Sequence, residues 1–88
     1  MNVIFRQSFA RDIKKIRAKT IRQQIQAVIE QLEQTNSLSD LPDVKKLTSD
    51  GPYYRIRIGD YRLGLLVEDD TITVVRFLHR RDIYRYFP

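Results

Sequence analysis

The chain has 88 residues, with 16 Lys and Arg against 11 Asp and Glu for a net charge of +5, no cysteine and one histidine. That length allows one small domain (residues 1–88) with a modest core and no room for a cofactor domain; the missing cysteines exclude disulfides and thiolate nucleophiles, and neither a protein-built metal site nor a cofactor is expected. No stretch approaches the ~20 apolar residues of a membrane span, and MNVIFRQSF lacks a signal-peptide pattern, so the cytoplasm is the expected compartment and the basic balance points to a polyanionic partner.

In chain order, Val3, Ile4 and Phe5 read as a short first strand. Ser8 is placed to cap a helix over 9–17, with Phe9, Ile13 and Ile16 on one stripe. Thr20 and Gln23 fit a capping box for a second helix running to about Thr35. Ile21, Ile25, Val28, Ile29 and Leu32 give that helix a clean apolar face. Residues 36–52 break the pattern and read as a long loop, with a brief extended piece over 44–47 that leaves Lys45 and Lys46 exposed.

The stretch YYRIRIGDYRLG, residues 53–64, is the organising element. Gly59-Asp60 is a two-residue turn between alternating runs, which signals a hairpin and fixes its register. Ile58 then faces Tyr61, Arg57 faces Arg62 and Arg55 faces Gly64. By strand alternation Tyr54, Ile56, Ile58, Tyr61, Leu63 and Leu65 share the core face. Arg55, Arg57 and Arg62 share the other. Like charges opposed on a ladder repel by about 1–3 kcal/mol at an intermediate dielectric, and Gly64 opens room beside them. This pattern suits a bound anion, most simply a phosphate, which guanidinium groups match bidentately. The alternative is the solvated outer face of a one-sided sheet.

A further strand follows the Asp69-Asp70 turn, over 72–78. If Glu68 faces Thr71, then Leu65 meets Val74 and Arg62 meets Phe77. That parity sends Val75, Phe77 and His79 to the arginine face and Arg76 to the core face, unless Arg76 lies at the rim or the register slips. HRRDIYRYFP reads as a short closing helix with Arg80 and Arg81 at its start, Ile83 and Phe87 packing inward, and Tyr84 either packing or pointing across the arginines. The expected fold is α+β: a two-layer sandwich, with an N-terminal strand and a two-helix hairpin packed on an antiparallel sheet, closed by a short C-terminal helix.

The order of elements, the hairpin Y-R-I-R-I-G-D-Y-R-L and the ending H-R-R-D-I-Y-R resemble the RelE/ParE superfamily of bacterial toxins, over essentially the whole chain. The resemblance implies a RelE-like, metal-independent endoribonuclease that cuts mRNA on the ribosome. It also implies a cognate antitoxin that wraps the toxin in a hetero-oligomer. In the family, basic residues of the first hairpin strand and the start of the second grip the scissile phosphate, which here are Arg55, Arg57 and Arg62. A basic or histidine residue after the last strand falls on His79 or Arg80, and an aromatic that stacks on or orients RNA falls on Tyr84. Arg81, Lys45 and Lys46 are further phosphate-binding candidates.

The chemistry is coherent. A 2′-hydroxyl attacking the neighbouring phosphorus needs a base, charge neutralisation on the phosphoryl oxygens and an acid for the leaving 5′-oxygen. Arg57 and Arg62 are the stabilisers, and His79 is the base or acid candidate because histidine ordinarily titrates nearest neutrality; its alternative is a surface or capping role. The acid is unassigned, and Asp60 or Asp82 are the only carboxylates expected near this face. The runner-up function is a ParE-like inhibitor of DNA gyrase without nuclease activity, since fold does not decide function. A plain RNA-binding module is the third.

Overall fold

The computed structural model describes residues 1–47 and 51–88. Thr48, Ser49 and Asp50, in the expected 36–52 loop, lie outside the described residues. The elements run β1 (Asn2–Phe5), α1 (Gln7–Lys14), α2 (Lys19–Gln34), a single 3-10 turn at Leu38–Asp40, β2 (Val44–Lys46), β3 (Tyr53–Ile58), β4 (Tyr61–Glu68), β5 (Thr71–His79) and α3 (Ile83–Tyr86). The strands form one sheet in the order β1-β5-β4-β3-β2. The three pairings from β2 to β5 are antiparallel; β1 pairs with β5 in parallel, so the sheet is mixed. No helix of the described residues is long and apolar enough to cross a membrane.

The helix starts differ from the capping signals. Arg6 donates its backbone N–H to the Val74 carbonyl at 3.0 Å, which carries the β1–β5 pairing directly into α1. The helix therefore begins at Gln7, and Ser8 lies inside it, donating its hydroxyl to the Val75 carbonyl at 2.6 Å. The second helix begins at Lys19 behind Ala18, without a side-chain cap, so Thr20 is helical and makes no capping box. α1 stops at Lys14, and Arg22 reaches back from α2 to cap its end: Nε donates to the Ile16 carbonyl at 2.6 Å and Nη2 to the Ile13 carbonyl at 3.0 Å. A cation on these terminal carbonyls also suits the negative end of the helix dipole.

The main core lies between the helices and one sheet face. Leu32, Leu63, Leu65, Ile72 and Val74 are fully buried there, with Phe9, Ile25, Ile56, Ile58 and Phe77 close behind. Each such side chain contributes about 1.5–3 kcal/mol on leaving water. The hairpin register is as expected, with Ile58 opposite Tyr61, Arg57 opposite Arg62 and Arg55 opposite Gly64. Thr71, Ile72 and Val74 also face Glu68, Val67 and Leu65.

Beyond Leu65 the β4–β5 register shifts. Gly64 faces Arg76, Leu63 faces Phe77, Arg62 faces Leu78 and Tyr61 faces His79. One extra residue in β5 makes a bulge, which flips the parity of everything after it. Phe77 and His79 therefore leave the arginine side: Phe77 is buried in the main core and stacks on Tyr61, and His79 packs edge-on to the same ring. Val75 stays on the arginine side. Asp12 of α1 holds the bulge. Only 5% exposed, it accepts from Arg76 Nε at 2.8 Å, from Arg76 Nη2 at 3.1 Å and from the Phe77 backbone N–H at 2.9 Å. The awkward Arg76 is resolved by a slipped register together with a buried partner.

The second sheet face is not left open. Ile83 and Phe87 pack from α3 onto Val75, Tyr53, Leu66 and Leu78, making a smaller second core. A Cβ on Gly64 would stand 2.8 Å from the Phe87 ring, so that ring fills the room expected there for an anion. The face is thus divided along the strands, with an apolar half beneath α3 and a cationic half toward the hairpin turn.

Candidate functional site

The cationic half is built from the hairpin outward. Arg57 and Arg62 are direct partners across β3 and β4, and Lys45 of β2 is the partner of Arg55 on the other side of β3. Alternation places all four on one face. The last strand brings a fifth: the Arg80 backbone N–H donates to the Asp60 carbonyl at 2.8 Å, tying the end of β5 to the hairpin turn. α3 adds Tyr84, which is 62% exposed. It points across the arginines, its hydroxyl accepting from Arg55 Nε at 3.3 Å.

Electrostatics register the crowding. Partial burial, first, and then the repulsion of Arg55, Arg57 and Arg80 lower the Arg62 guanidinium pKa below its ordinary value, while the Tyr84 oxygen opposes the shift. A guanidinium stays protonated through such a shift, so the site concentrates positive charge. Arg62 Nη1 is held along the turn, donating to the Gly59 carbonyl at 3.0 Å and the Tyr61 carbonyl at 2.9 Å.

Among the described residues one carboxylate belongs to this face, and it is neither Asp60 nor Asp82. Asp43, just before β2, has a left-handed backbone (φ 63°), a conformation that Asp tolerates better than most residues. Its carbonyl accepts from the Arg57 backbone N–H at 3.1 Å and from Arg55 Nη1 at 3.3 Å, and its Oδ1 pairs with Arg57 Nη2 at 3.0 Å. The two side chains are 46% and 58% exposed, so the pair is open to solvent and worth about 0–1 kcal/mol. Among the described residues no group of three or more His, Asp and Glu is placed to hold a metal ion.

Residues 3–84 match the family described as the ParE toxin of the type II toxin–antitoxin system parDE. The chain belongs to that family. It is 46% identical over 89 residues to Toxin RelE3 of Methanocaldococcus jannaschii, with all of both chains covered. It superposes on a crystal structure of the RelB–RelE antitoxin–toxin complex from Methanococcus jannaschii with a TM-score of 0.81 and 42% identity, covering 97% of this chain and 99% of that one. The toxin–antitoxin complex RelBE2 of Mycobacterium tuberculosis gives a TM-score of 0.62 and 27% identity, covering 90% and 96%. The archaeal RelE–RelB complex of Pyrococcus horikoshii shares the fold, with a TM-score of 0.74, 24% identity and coverage of 90% and 93%. The protein is a RelE-like toxin of a toxin–antitoxin system, and its relatives include archaeal chains as well as bacterial ones.

In this toxin the structure brings Arg55, Arg57, Arg62, Arg80, Tyr84 and Lys45 together. It separates the other candidates. Lys46 pairs with Tyr54 on the helix side of the sheet and lines a cleft beside Met1 and Leu38. His79 follows the bulge to the Tyr61 side, where its Nδ1 accepts from the Arg81 backbone N–H at 3.2 Å and Arg81 Nε at 3.3 Å. Arg80 and Arg81 lie in the turn before α3, which starts only at Ile83, so neither stands at a helix start. Asp43 escaped the sequence reading because its position depends on β2 pairing with β3. The alternation that carries that pairing is only three residues long.

Proposed function

We propose that the toxin is a metal-independent endoribonuclease that cuts mRNA on the ribosome, in the cytoplasm, and is held inactive by a cognate antitoxin. One observation carries the reading: three guanidinium groups and a phenol converge around that of Arg62, with one solvent-open carboxylate of the described residues among them. Such crowding is costly to an empty protein and suited to a phosphodiester.

Arg57 and Arg62 take the phosphoryl oxygens, and Arg55 and Lys45 hold the adjoining backbone. The 2′-oxygen attacks phosphorus and forms the O2′–P bond, while the P–O5′ bond breaks. The 2′-proton passes to the Asp43 carboxylate, and the 5′-oxygen takes a proton from Tyr84 Oη, while Arg80 stays charged and only donates a hydrogen bond. The products are a 2′,3′-cyclic phosphate and a 5′-hydroxyl. His79 holds Arg81 at the end of the sheet and stands outside this step. The antitoxin would be a flexible, acidic segment that complements the basic toxin; the relative from Methanococcus jannaschii is seen in a RelB–RelE antitoxin–toxin complex.

The test is a map of RNA 5′ ends after brief induction, beside a gyrase supercoiling assay. New message 5′ ends that vanish with Arg62→Ala, in a variant that stays folded and keeps its antitoxin, are expected. Lost supercoiling with intact messages would make the protein a gyrase inhibitor instead.

A further inference from the structure

The remaining positive charge is concentrated at the start of the chain. Arg6, Arg11, Lys14, Lys15, Arg17, Lys19 and Arg22 stand against one acidic residue, Asp12, over the first 22 positions. Two members have structural duties: Arg22 caps α1, and Asp12 is consumed by Arg76 and the bulge. Among the described residues no Asp or Glu forms an ion pair with Arg11, Lys14 or Lys15. Spaced at i, i+3 and i+4, these three share one side of the helix end. With Ser8, Asp12 and Arg76 they line a cleft of about 380 Å³ between α1 and β5. Asp12 occupies two of the five N–H donors of Arg76, leaving a rigidly anchored guanidinium at the cleft.

We propose that this cleft is a second RNA-binding surface, one that takes the sugar–phosphate backbone away from the linkage being cut. The inference rests on the ribonuclease reading above and extends it. Two observations favour RNA over an acidic protein segment. Each lining residue is polar or charged, so apolar contact is limited to side-chain stems and a protein segment finds no aliphatic or aromatic pocket for the anchors that carry protein–protein affinity; a phosphate backbone needs only cations. The cleft also leads toward the end of β5, where Arg80 joins the hairpin turn. Lys15 and Asp12 border an adjoining depression with Tyr61, His79 and Asp82, and His79 holds Arg81 beside Arg80. One polyanion passing around the end of the sheet meets both groups of cations.

The test is binding of a single-stranded, fully 2′-O-methylated RNA oligonucleotide, which cannot be cut, across a salt series. Wild type is compared with Arg11→Ala/Lys14→Ala/Lys15→Ala and with the charge-keeping Arg11→Lys/Lys14→Arg/Lys15→Arg. Each lost single-strand phosphate contact lowers the slope of log K against log salt by ~0.7, so three lower it by about 2 and weaken binding about 10–100-fold at ~0.1 M salt. The charge-keeping variant retains the wild-type slope. An unchanged slope in the alanine variant overturns the proposal, as does an unchanged slope with lost antitoxin affinity, which assigns the cleft to a protein. A lost slope in a protein that makes no new message ends leaves this surface standing and removes the nuclease. Normal cleavage with an unchanged slope does the reverse.

Discussion

The Phe87 ring lies against the backbone of Gly64, so close that a Cβ there would stand 2.8 Å from it. Phe87 is 2% exposed and, with the fully buried Ile83, anchors α3 to the sheet. The same helix carries Tyr84 to Arg55. Gly64→Ala is therefore expected to displace α3, costing about 1–3 kcal/mol by overpacking. Cleavage should fall with it. Phe87→Ala alone should cost about 3–5 kcal/mol. In Gly64→Ala/Phe87→Ala the clash is gone, so urea midpoints should show a cost well below the sum of the two. Strict additivity would mean that the ring and the glycine do not constrain each other.

A second prediction concerns the bulge. Asp12→Asn removes the charge that holds Arg76 and weakens the acceptor for Phe77. Removing one partner of a buried pair costs about 3–5 kcal/mol, and the partial exposure of Arg76 brings this to about 2–4. Asp12→Asn/Arg76→Met should recover most of that loss, since the Asn oxygen still accepts from the Phe77 N–H and no unpaired charge is left behind. Denaturant midpoints decide it: equal losses in Asp12→Asn and the double variant would show that packing, not charge, holds the bulge.

The fold was legible wherever local chemistry and tertiary context agreed. Gly59-Asp60 fixed the hairpin register because a two-residue turn leaves no freedom. The α2 stripe was clear over four turns. Legibility stopped at Gly64, where the register depends on a carboxylate fifty-two residues earlier in the chain: Asp12 supplies the acceptor that permits an extra residue in β5. That contact moved Phe77 and His79 to the other side. Ser8 and Thr20 looked like caps because they have capping chemistry, yet β1 runs straight into α1 and leaves Ser8 a carbonyl on β5 instead. In the site, Arg55, Arg57 and Arg62 were readable from alternation, whereas roles for Arg80 and Tyr84 came only with the family resemblance, because an aromatic in a short closing helix reads equally well as core. Asp43 was not, because a three-residue edge strand positions it.

Asp43 gives the third prediction. Its pair with Arg57 is largely exposed, so Asp43→Asn should shift stability by less than ~1 kcal/mol. As the proton acceptor it should matter far more to chemistry, with the single-turnover cleavage rate falling about 10²–10⁴-fold. His79→Gln should leave most of that rate intact, because His79 lies with Tyr61 rather than with the arginines. Single-turnover cleavage of ribosome-bound message by both variants is the measurement. A fast Asp43→Asn protein beside an inactive His79→Gln protein would exchange the two roles.

The last prediction follows from the crowding itself. A folded-state pKa below the ordinary value means that the protonated Arg62 is less comfortable in the folded protein than in the unfolded chain. Working the sign through, that penalty is present at every pH below the folded value, which includes the whole neutral range, and fades only as pH rises through it. A dianion seated among the guanidinium groups relieves it and stabilises the folded state by linkage. At ten times its dissociation constant the gain is about 1.4 kcal/mol, and each 1 kcal/mol raises the melting temperature by ~4–8 °C in a domain of this size. Sulfate also stabilises proteins generally by exclusion from their surfaces, so the comparison must be with Arg55→Gln/Arg62→Gln in the same buffers. Wild type should gain several degrees more from sulfate than from chloride at matched ionic strength, and the double variant should gain only the general part. Equal gains in the two proteins would mean that the cations on this face hold no anion in common.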